Sequence, residues 1–259
     1  MIRFFKGLYL ALILLFLYLP IGTLIFFSFN SSKSMSVWAG FSMRWYREML
    51  NNSQITGAIW NTFSIAVCAA VISTIIGTSA CIGIMAMKKR AQRAWLAMNN
   101  IPLLNADIVI GISLMMTFLV FRVSLSWGTV LLSHVTFCIP YVLLSVLPKF
   151  RQLTPNAYEA ALDLGASPKY AFFKVVMPDI MPGVLSGFML AFTMSVDDFV
   201  ITHFTRGAGI NTISTLIYSQ VKVGIRPTLF ALSTVIFAAV FVILVISNVI
   251  SGRKEEKTA

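Results

Sequence analysis

The chain has 259 residues, of which 58% are hydrophobic and 11% charged, and its formal net charge is +11. A soluble domain carries about 25% charged residues, and one water-soluble core has no room for so much apolar surface. We therefore predict a protein whose solvent is lipid. The three cysteines, Cys68, Cys81 and Cys138, lie in apolar stretches, which favours small buried residues over a disulfide framework.

Dividing the chain at its charged residues predicts an all-α integral membrane domain with six spans. A helix needs about 20 apolar residues to cross the bilayer core. The spans are expected at Leu8–Phe29, Ile59–Met87, Ile101–Phe121, Ser126–Pro148, Ile180–Thr205 and Leu229–Ser251. The start of the chain resembles a signal peptide but lacks a clear small-residue cleavage site, so we predict a retained first span.

The distribution of lysine and arginine predicts that both termini are cytoplasmic. With six spans the termini share one side, and positive flanks resist translocation. The cytoplasmic side then holds 13 basic residues: Arg3, Lys6, Lys88, Lys89, Arg90, Arg93, Lys149, Arg151, Lys169, Lys174, Arg253, Lys254 and Lys257. The outer side holds seven: Lys33, Arg44, Arg47, Arg122, Arg206, Lys222 and Arg226. The basic run 88–93 is therefore interpreted as a topology anchor, and no nucleic-acid partner is expected.

The longest cytoplasmic segment, 149–179, lies between spans 4 and 5 and has the pattern of two short helices. Pro155 is suited to open the first helix, and Gly165 to end it with a positive φ. Ser167 is a typical N-cap for the second helix. We expect two prolines to separate that helix from span 5, namely Pro178 and Pro182.

Three aspartates are the acids within the predicted spans, where no lysine or arginine accompanies them: Asp107, Asp197 and Asp198. Intramembrane acids usually face a bundle interior or a water-filled path. We therefore expect them to line a route for a cation, with Asp107 at a different depth from the pair. Neighbouring helix positions point about 100° apart, so one of the two adjacent acids is expected to bond backbone or hydroxyl groups of a neighbouring helix, or to face a partner subunit, instead. The pattern leaves open which.

The remaining polar and small residues indicate packing. His134 is expected to be a hydrogen-bonded packing residue, and His203 to be solvated near the outer surface. Two small-residue stripes predict close helix contacts, within the chain or with a partner: Gly183 with Gly187, and Ser73 with Gly77 and Cys81. No nucleophile–base set, metal-ligand cluster or GxxxxGK[ST] phosphate loop is found, so we expect neither catalytic residues nor a bound metal.

The cytoplasmic segment carries a specific spacing. Glu159-Ala160-Ala161 is followed after three residues by Gly165 and after nine more by Val175-Val176-Met177-Pro178. This resembles the EAA loop of ABC-importer permeases, whose pattern ends in I-x-L-P; here valine and methionine replace isoleucine and leucine. The resemblance implies a coupling helix seated in an ATPase subunit, with Glu159 as a polar anchor, Ala160 and Ala161 as a close-packed face, and Gly165 as the turn.

Scattered motifs narrow the resemblance to spermidine/putrescine permease subunits of the bacterial inner membrane. The motifs are Asn30-Ser31-Ser32, Arg44-Trp45-Tyr46, His134-Val135-Thr136-Phe137-Cys138 and Ser195-Val196-Asp197-Asp198-Phe199. The resemblance implies import of polyamines, a second permease as heterodimer partner, an ATPase dimer that binds the ATP and Mg²⁺, and an extracytoplasmic binding protein. Docking of that protein is expected on Asn30–Gly57 and Arg206–Thr228.

Two rival functions stay open from the sequence. The first is an ABC-importer permease for another solute, such as ferric iron, a peptide or an oxyanion; intramembrane acids disfavour the oxyanion. The second is a proton-coupled carrier that uses the same acids without an ATPase. The carrier gives no reason for the EAA spacing.

Overall fold

The computed structural model describes residues 2–33, 37–153, 155–224, 226–239 and 241. Within these ranges the chain is helical and has no strand, only an isolated bridge between Asn30 and Phe41. The helices are α1 (Ile2–Ser28), α2 (Arg44–Asn51), α3 (Ser53–Met85), α4 (Lys89–Leu104), α5 (Asp107–Val120), α6 (Trp127–Gln152), α7 (Pro155–Asp163), α8 (Pro168–Ala171), α9 (Met177–Asp197), α10 (Val200–Thr205), α11 (Ile213–Val223) and α12 (Pro227–Ala239). The predicted all-α class is confirmed.

The chain divides into two compact units, Met1–Thr56 with Ile217–Ala259, and Gly57–Leu216. In the first unit, the segment after α1 is organised around the buried side chain of Asn30. Its amide nitrogen donates to the carbonyl of Val37 at 2.8 Å, and its amide oxygen accepts from the N–H of Ala39 at 2.9 Å. The indole of Trp45, only 2% exposed, donates to the Asn30 carbonyl at 2.5 Å. The described residues of this polar and aromatic segment are therefore folded.

Among the described residues, four helical stretches are long and apolar enough to cross a membrane: Lys6–Ser28, Ser53–Met85, Trp127–Gln152 and Pro168–Asp197. The pair α4 and α5 passes the same test as a fifth span, although the two axes are bent by 103°. Helix α12 is apolar but shorter, and most of the predicted sixth span beyond it lies outside the described residues. A multi-pass membrane protein is thus supported, and the sixth span stays a prediction.

The third predicted span, Ile101–Phe121, is wrong as a continuous helix. The helix ends at Leu104, and Asn105 and Ala106 are extended before α5 begins at Asp107. Pro102 weakens the end of α4 because it lacks an N–H donor, and an asparagine side chain competes with helical hydrogen bonds. Asp107 is consequently the first residue of a helix, where the helix dipole favours an acid, rather than a mid-helix residue.

The fifth predicted span, Ile180–Thr205, differs from the observed helices at both ends. Pro178 does not separate it from the preceding helix, since one helical stretch runs from Pro168 to Asp197. A π-helical turn, Phe172–Val176, lies just before this proline. Such a turn shifts hydrogen bonding to i→i+5, so the stretch continues despite the N–H that proline lacks. At the other end the span breaks at Asp198 and Phe199, before α10 starts.

The core of the second unit is built on α6, which packs along α9. Val142 of α6 lies against two glycines: a Cβ added at Gly77 would meet its side chain at 2.8 Å, and one at Gly187 at 3.3 Å. Glycine lets helices approach this closely. A Cβ added at Gly183 would meet Lys149 of α6 at 2.8 Å. The predicted small-residue contacts are thus confirmed, and these glycines meet helices of the same chain. Cys81 and Cys138 are buried there as free thiols.

We expect Gly77→Ala to lower the free energy of unfolding by about 1–3 kcal/mol, because the added methyl overpacks against Val142. The control is Gly83→Ala on the same helix, where nothing lies within 4 Å of the added Cβ. That change should stabilise α3 by up to about 1 kcal/mol, because alanine has the higher helix propensity. Thermal unfolding of the purified variants in detergent measures whether the two stability changes have opposite signs. Equal shifts for both variants would contradict the close contact.

Candidate functional site

The segment that carries the EAA spacing folds locally as the sequence predicts. Helix α7 ends in a Schellman motif: the N–H of Ala166 donates to the Ala161 carbonyl at 3.0 Å and that of Gly165 to the Leu162 carbonyl at 2.9 Å. Gly165 has φ +88°, which suits glycine. The Ser167 hydroxyl accepts from the N–H of Tyr170 and caps α8. A fixed helix–turn–helix results.

Apolar side chains of this segment are left uncovered by the rest of the chain. Leu164 is 89% exposed, Phe173 61% and Tyr170 60%. Glu159 and Ala160 are exposed too, and Ala161 is half-buried. Clustered exposed apolar groups next to a polar residue are typical of a protein-binding surface. Pro178 is exposed as well, at the start of α9, 13 positions beyond Gly165.

The second candidate region lies where α5 packs along α10. A Cβ at Gly111 would come within 3.4 Å of the Ile201 backbone, so the two helices touch directly. The segments that follow the two helices are also in contact, because the backbone of Gly207, after α10, lies against that of Leu125, after α5. The helices therefore run parallel, and their N-terminal ends lie at the same end of the pair.

Asp107 and Asp197 lie at that shared end. Asp107 is the first residue of α5 and Asp197 the last of α9, just before the break that leads into α10. Asp107 lies four residues, about one helical turn, before Gly111, and Asp197 lies four residues before Ile201, across the break. Both are exposed within the chain. The expectation that Asp107 lies at a different depth from the pair assumed two unbroken helices, and both are broken. The depths of the three acids stay a prediction.

Asp198 has a different environment. Its side chain is 8% exposed. One carboxylate oxygen accepts from the N–H of Ile201 at 3.1 Å, and the other accepts from the N–H and the hydroxyl of Thr202, both at 2.8 Å. The carboxylate thus satisfies the N–H groups at the start of α10. Of the two adjacent acids, Asp198 is the one that bonds backbone and hydroxyl groups.

His134 reaches the same carboxylate from α6. It is 1% exposed; its Nδ1 lies 2.6 Å from the Ser195 hydroxyl, and its Nε2 lies 2.8 Å from the Thr202 hydroxyl and 3.4 Å from Asp198 Oδ2. The prediction of a hydrogen-bonded packing residue is confirmed. His203 is exposed, with its ring beside Phe199.

Sequence reasoning missed Thr202. The sequence signal for Thr202 was its position four residues after Asp198. On a helix, side chains four positions apart lie next to each other. In the part of the chain that the structure describes, no three histidine, cysteine or acidic side chains group in a way that suits a metal. The region thus offers two exposed carboxylates beside one that is fixed by hydrogen bonds.

The chain is similar in sequence to known membrane transport proteins. Residues 73–256 match the family "Binding-protein-dependent transport system inner membrane component". The chain is 38% identical to the putrescine transport system permease protein PotI of Escherichia coli K12 over 93% of its length and 89% of the relative's. It is 34% identical to the spermidine/putrescine transport system permease protein PotC of Haemophilus influenzae, over 98% of this chain and 99% of that one.

Solved structures share the fold. A bacterial ABC transporter involved in the import of alginate matches with a TM-score of 0.76 at 17% identity, over 97% of this chain and 95% of the other. The MetNI methionine ABC transporter matches with a TM-score of 0.59 at 16% identity, over 83% and 97%. With a family match over residues 73–256 and relatives along nearly its whole length, the chain belongs to the inner membrane components of binding-protein-dependent transport systems.

Proposed function

We propose that this chain is the membrane-spanning permease subunit of an ATP-driven importer that translocates the polyamines spermidine and putrescine. The observation that carries the proposal is the 38% identity to a putrescine permease over 93% of the chain. The few aspartates within otherwise apolar spans support a polyamine as the substrate. A polyamine is a chain of methylenes that separates ammonium groups, and it needs a mostly apolar route with a few carboxylates.

Asp107 and Asp197 are proposed to contact the cation in transit. Both are exposed within this chain and share one end of the α5–α10 pair. An ionised aspartate within a span costs about 2.5–3.5 kcal/mol on insertion scales, so such residues usually face water or a partner group. Asp198 belongs to the same site as a support, since hydrogen bonds from Ile201 and Thr202 occupy its carboxylate.

The α7–α8 segment is proposed to couple transport to ATP hydrolysis. Its exposed Leu164 and the Glu159–Ala161 face would dock in a groove of an ATPase subunit, with Gly165 holding the angle between the helices and Pro178 marking the entry into α9. ATP and Mg²⁺ bind to that partner, because this chain has no phosphate-binding loop. The continuous stretch from Pro168 to Asp197 supports this role, since movement of the segment would reach the acids through one rigid element.

The complete importer is proposed to contain this chain, a second permease, two copies of the ATPase and an extracytoplasmic polyamine-binding protein. The binding protein would dock on Asn30–Gly57 and Arg206–Thr228. Folding of the outer segment around Asn30 and Trp45 supports a preformed docking surface there. The bias of lysine and arginine supports cytoplasmic termini in the bacterial inner membrane.

Uptake in proteoliposomes tests the proposal. The chain is purified with its co-expressed partners and supplied with the binding protein outside and ATP inside. We expect uptake of labelled putrescine and spermidine that requires ATP and persists with a protonophore. An ATPase subunit with its phosphate-loop lysine changed to alanine should abolish uptake.

Uptake of labelled ferric iron or a peptide in place of polyamines would overturn the substrate assignment. Uptake that is driven by a proton gradient without the ATPase would overturn the assignment as an ATP-driven importer.

Asp107→Asn changes an exposed residue of the proposed route. In the same uptake assay it should lower the maximal rate of polyamine uptake about tenfold, since it removes a charged partner worth roughly 1.5–3 kcal/mol.

A further inference from the structure

The break between α9 and α10 is held from the side by one residue of α6. Three side chains of the broken segment converge on the imidazole of His134: Ser195 before the break, Asp198 within it and Thr202 after it. The three positions span both helices on either side of the two-residue break. A single buried side chain therefore ties the two helical pieces together.

The protons of this cluster determine the directions of its bonds. The Thr202 hydroxyl has one proton, which it donates to Asp198 Oδ2 at 2.8 Å. The same hydroxyl oxygen must then accept from His134 Nε2 at 2.8 Å, so Nε2 carries a hydrogen. The imidazole therefore acts as a donor towards α10. At 3.4 Å from Asp198 Oδ2, this N–H also faces the carboxylate and adds to the attraction.

Fixing Asp198 also fixes the direction of Asp197. Asp198 is the C-cap of α9 and keeps a helical φ of −63°, so its side chain still points about 100° away from that of Asp197 around the helix axis. An inward Asp198 therefore turns its neighbour away from α6. The observed exposures follow this rule, with Asp197 exposed and the Asp198 side chain 8% exposed. The Ser214 hydroxyl donates to the Asp198 carbonyl at 2.7 Å, which holds the backbone of the break as well.

We propose that His134 is a positioning residue for cation translocation: it holds the α9–α10 break so that Asp197 presents its carboxylate to the passing ammonium group. The inference rests on the proposed function, because it takes Asp197 as a contact of the cation. His134 itself is buried and touches no substrate. Its effect passes through Ser195, Asp198 and Thr202.

A double-mutant cycle tests this role. The variants are His134→Leu, which removes both ring contacts, Asp197→Asn, and the two combined. The measurement is the maximal rate of polyamine uptake per assembled complex at saturating binding protein. We expect each single change to lower the rate about tenfold. The uptake rate of the double variant should be no lower than that of Asp197→Asn alone. Once residue 197 has lost its charge, its position no longer affects the rate.

Two further variants separate positioning from general stability. His134→Gln keeps an N–H that can reach Thr202 and should recover part of the rate lost in His134→Leu. Gln92→Leu is the control. It too removes a side-chain hydrogen bond between two helices, the one donated to the Met85 carbonyl at 3.0 Å, and neither residue bonds the His134 cluster or Ser214. Its rate per assembled complex should stay within about twofold of the unchanged protein.

The outcomes are distinct. If the losses from His134→Leu and Asp197→Asn multiply in the double variant, His134 acts independently of Asp197 and the inference is overturned. Normal uptake by His134→Leu beside slow uptake by Asp197→Asn overturns the inference alone. Normal uptake by Asp197→Asn overturns the proposed route and with it the inference. Should His134→Leu fail to assemble, Ser195→Ala and Thr202→Val replace it in the same cycle.

Discussion

Gly165→Pro is expected to lower polyamine uptake at least about tenfold while the chain remains in the membrane. The native φ at this position is +88°, whereas proline is fixed near −65°. The substitution also removes the N–H that bonds the Leu162 carbonyl at 2.9 Å, so the turn between α7 and α8 cannot form. A misdirected α7 would no longer fit its groove. The measurement is uptake together with co-purification of the ATPase.

Gly209→Pro is the matched control for this prediction. Gly209 also has a positive φ, +81°, and like Gly165 it has nothing within 4 Å of an added Cβ. The backbone penalty is therefore comparable, but the residue lies in the proposed outer docking segment. The control variant should retain the ATPase on purification. Loss of the ATPase from both variants, or from neither, would contradict the assignment of α7 as the coupling helix.

The α7–α8 segment shows what local sequence can predict. Its turn depends on interactions between residues a few positions apart: a glycine at the left-handed position, a serine cap and a proline at the first helical position. Each signal sits in the sequence next to the bond it forms, as with Ser167 and Tyr170. The helix start at Pro155 and the helix cap at Ser167 were predicted for this reason, and the small-residue contacts followed from spacing alone.

The broken spans show where local sequence fails. Hydropathy reports that a stretch is apolar, and it does not distinguish one helix from two. The break at Asp198 is stabilised by His134, 64 positions earlier in the chain, and by Ser214, 16 positions later. Neither interaction has a local signature. The different environments of Asp197 and Asp198 depend on this break and were therefore left open by the sequence, although one of the pair was expected to bond hydroxyl or backbone groups.

Asp198→Asn and Asp197→Asn are expected to give opposite phenotypes. An asparagine at 198 must direct its NH₂ group at a backbone N–H or a hydroxyl that now donates to the carboxylate, most directly at Thr202. Leaving these buried donors unsatisfied should lower the free energy of unfolding by about 1–3 kcal/mol. Asp197 is exposed, so its substitution should change stability by no more than about 0.5 kcal/mol. Its uptake rate should nevertheless fall about tenfold if its charge meets the cation.

Thermal unfolding in detergent and uptake per assembled complex measure the two effects separately. Ser186→Ala is the control, since this exposed side chain lies in α9, 11 positions before Asp197; it should alter uptake by less than about twofold. A lower unfolding temperature for Asp197→Asn with none for Asp198→Asn would reverse the assignment of the two acids. The contrast is sharp because the residues are adjacent and chemically identical. Any difference between them must come from the bonds that His134 and α10 make to one carboxylate and not to the other.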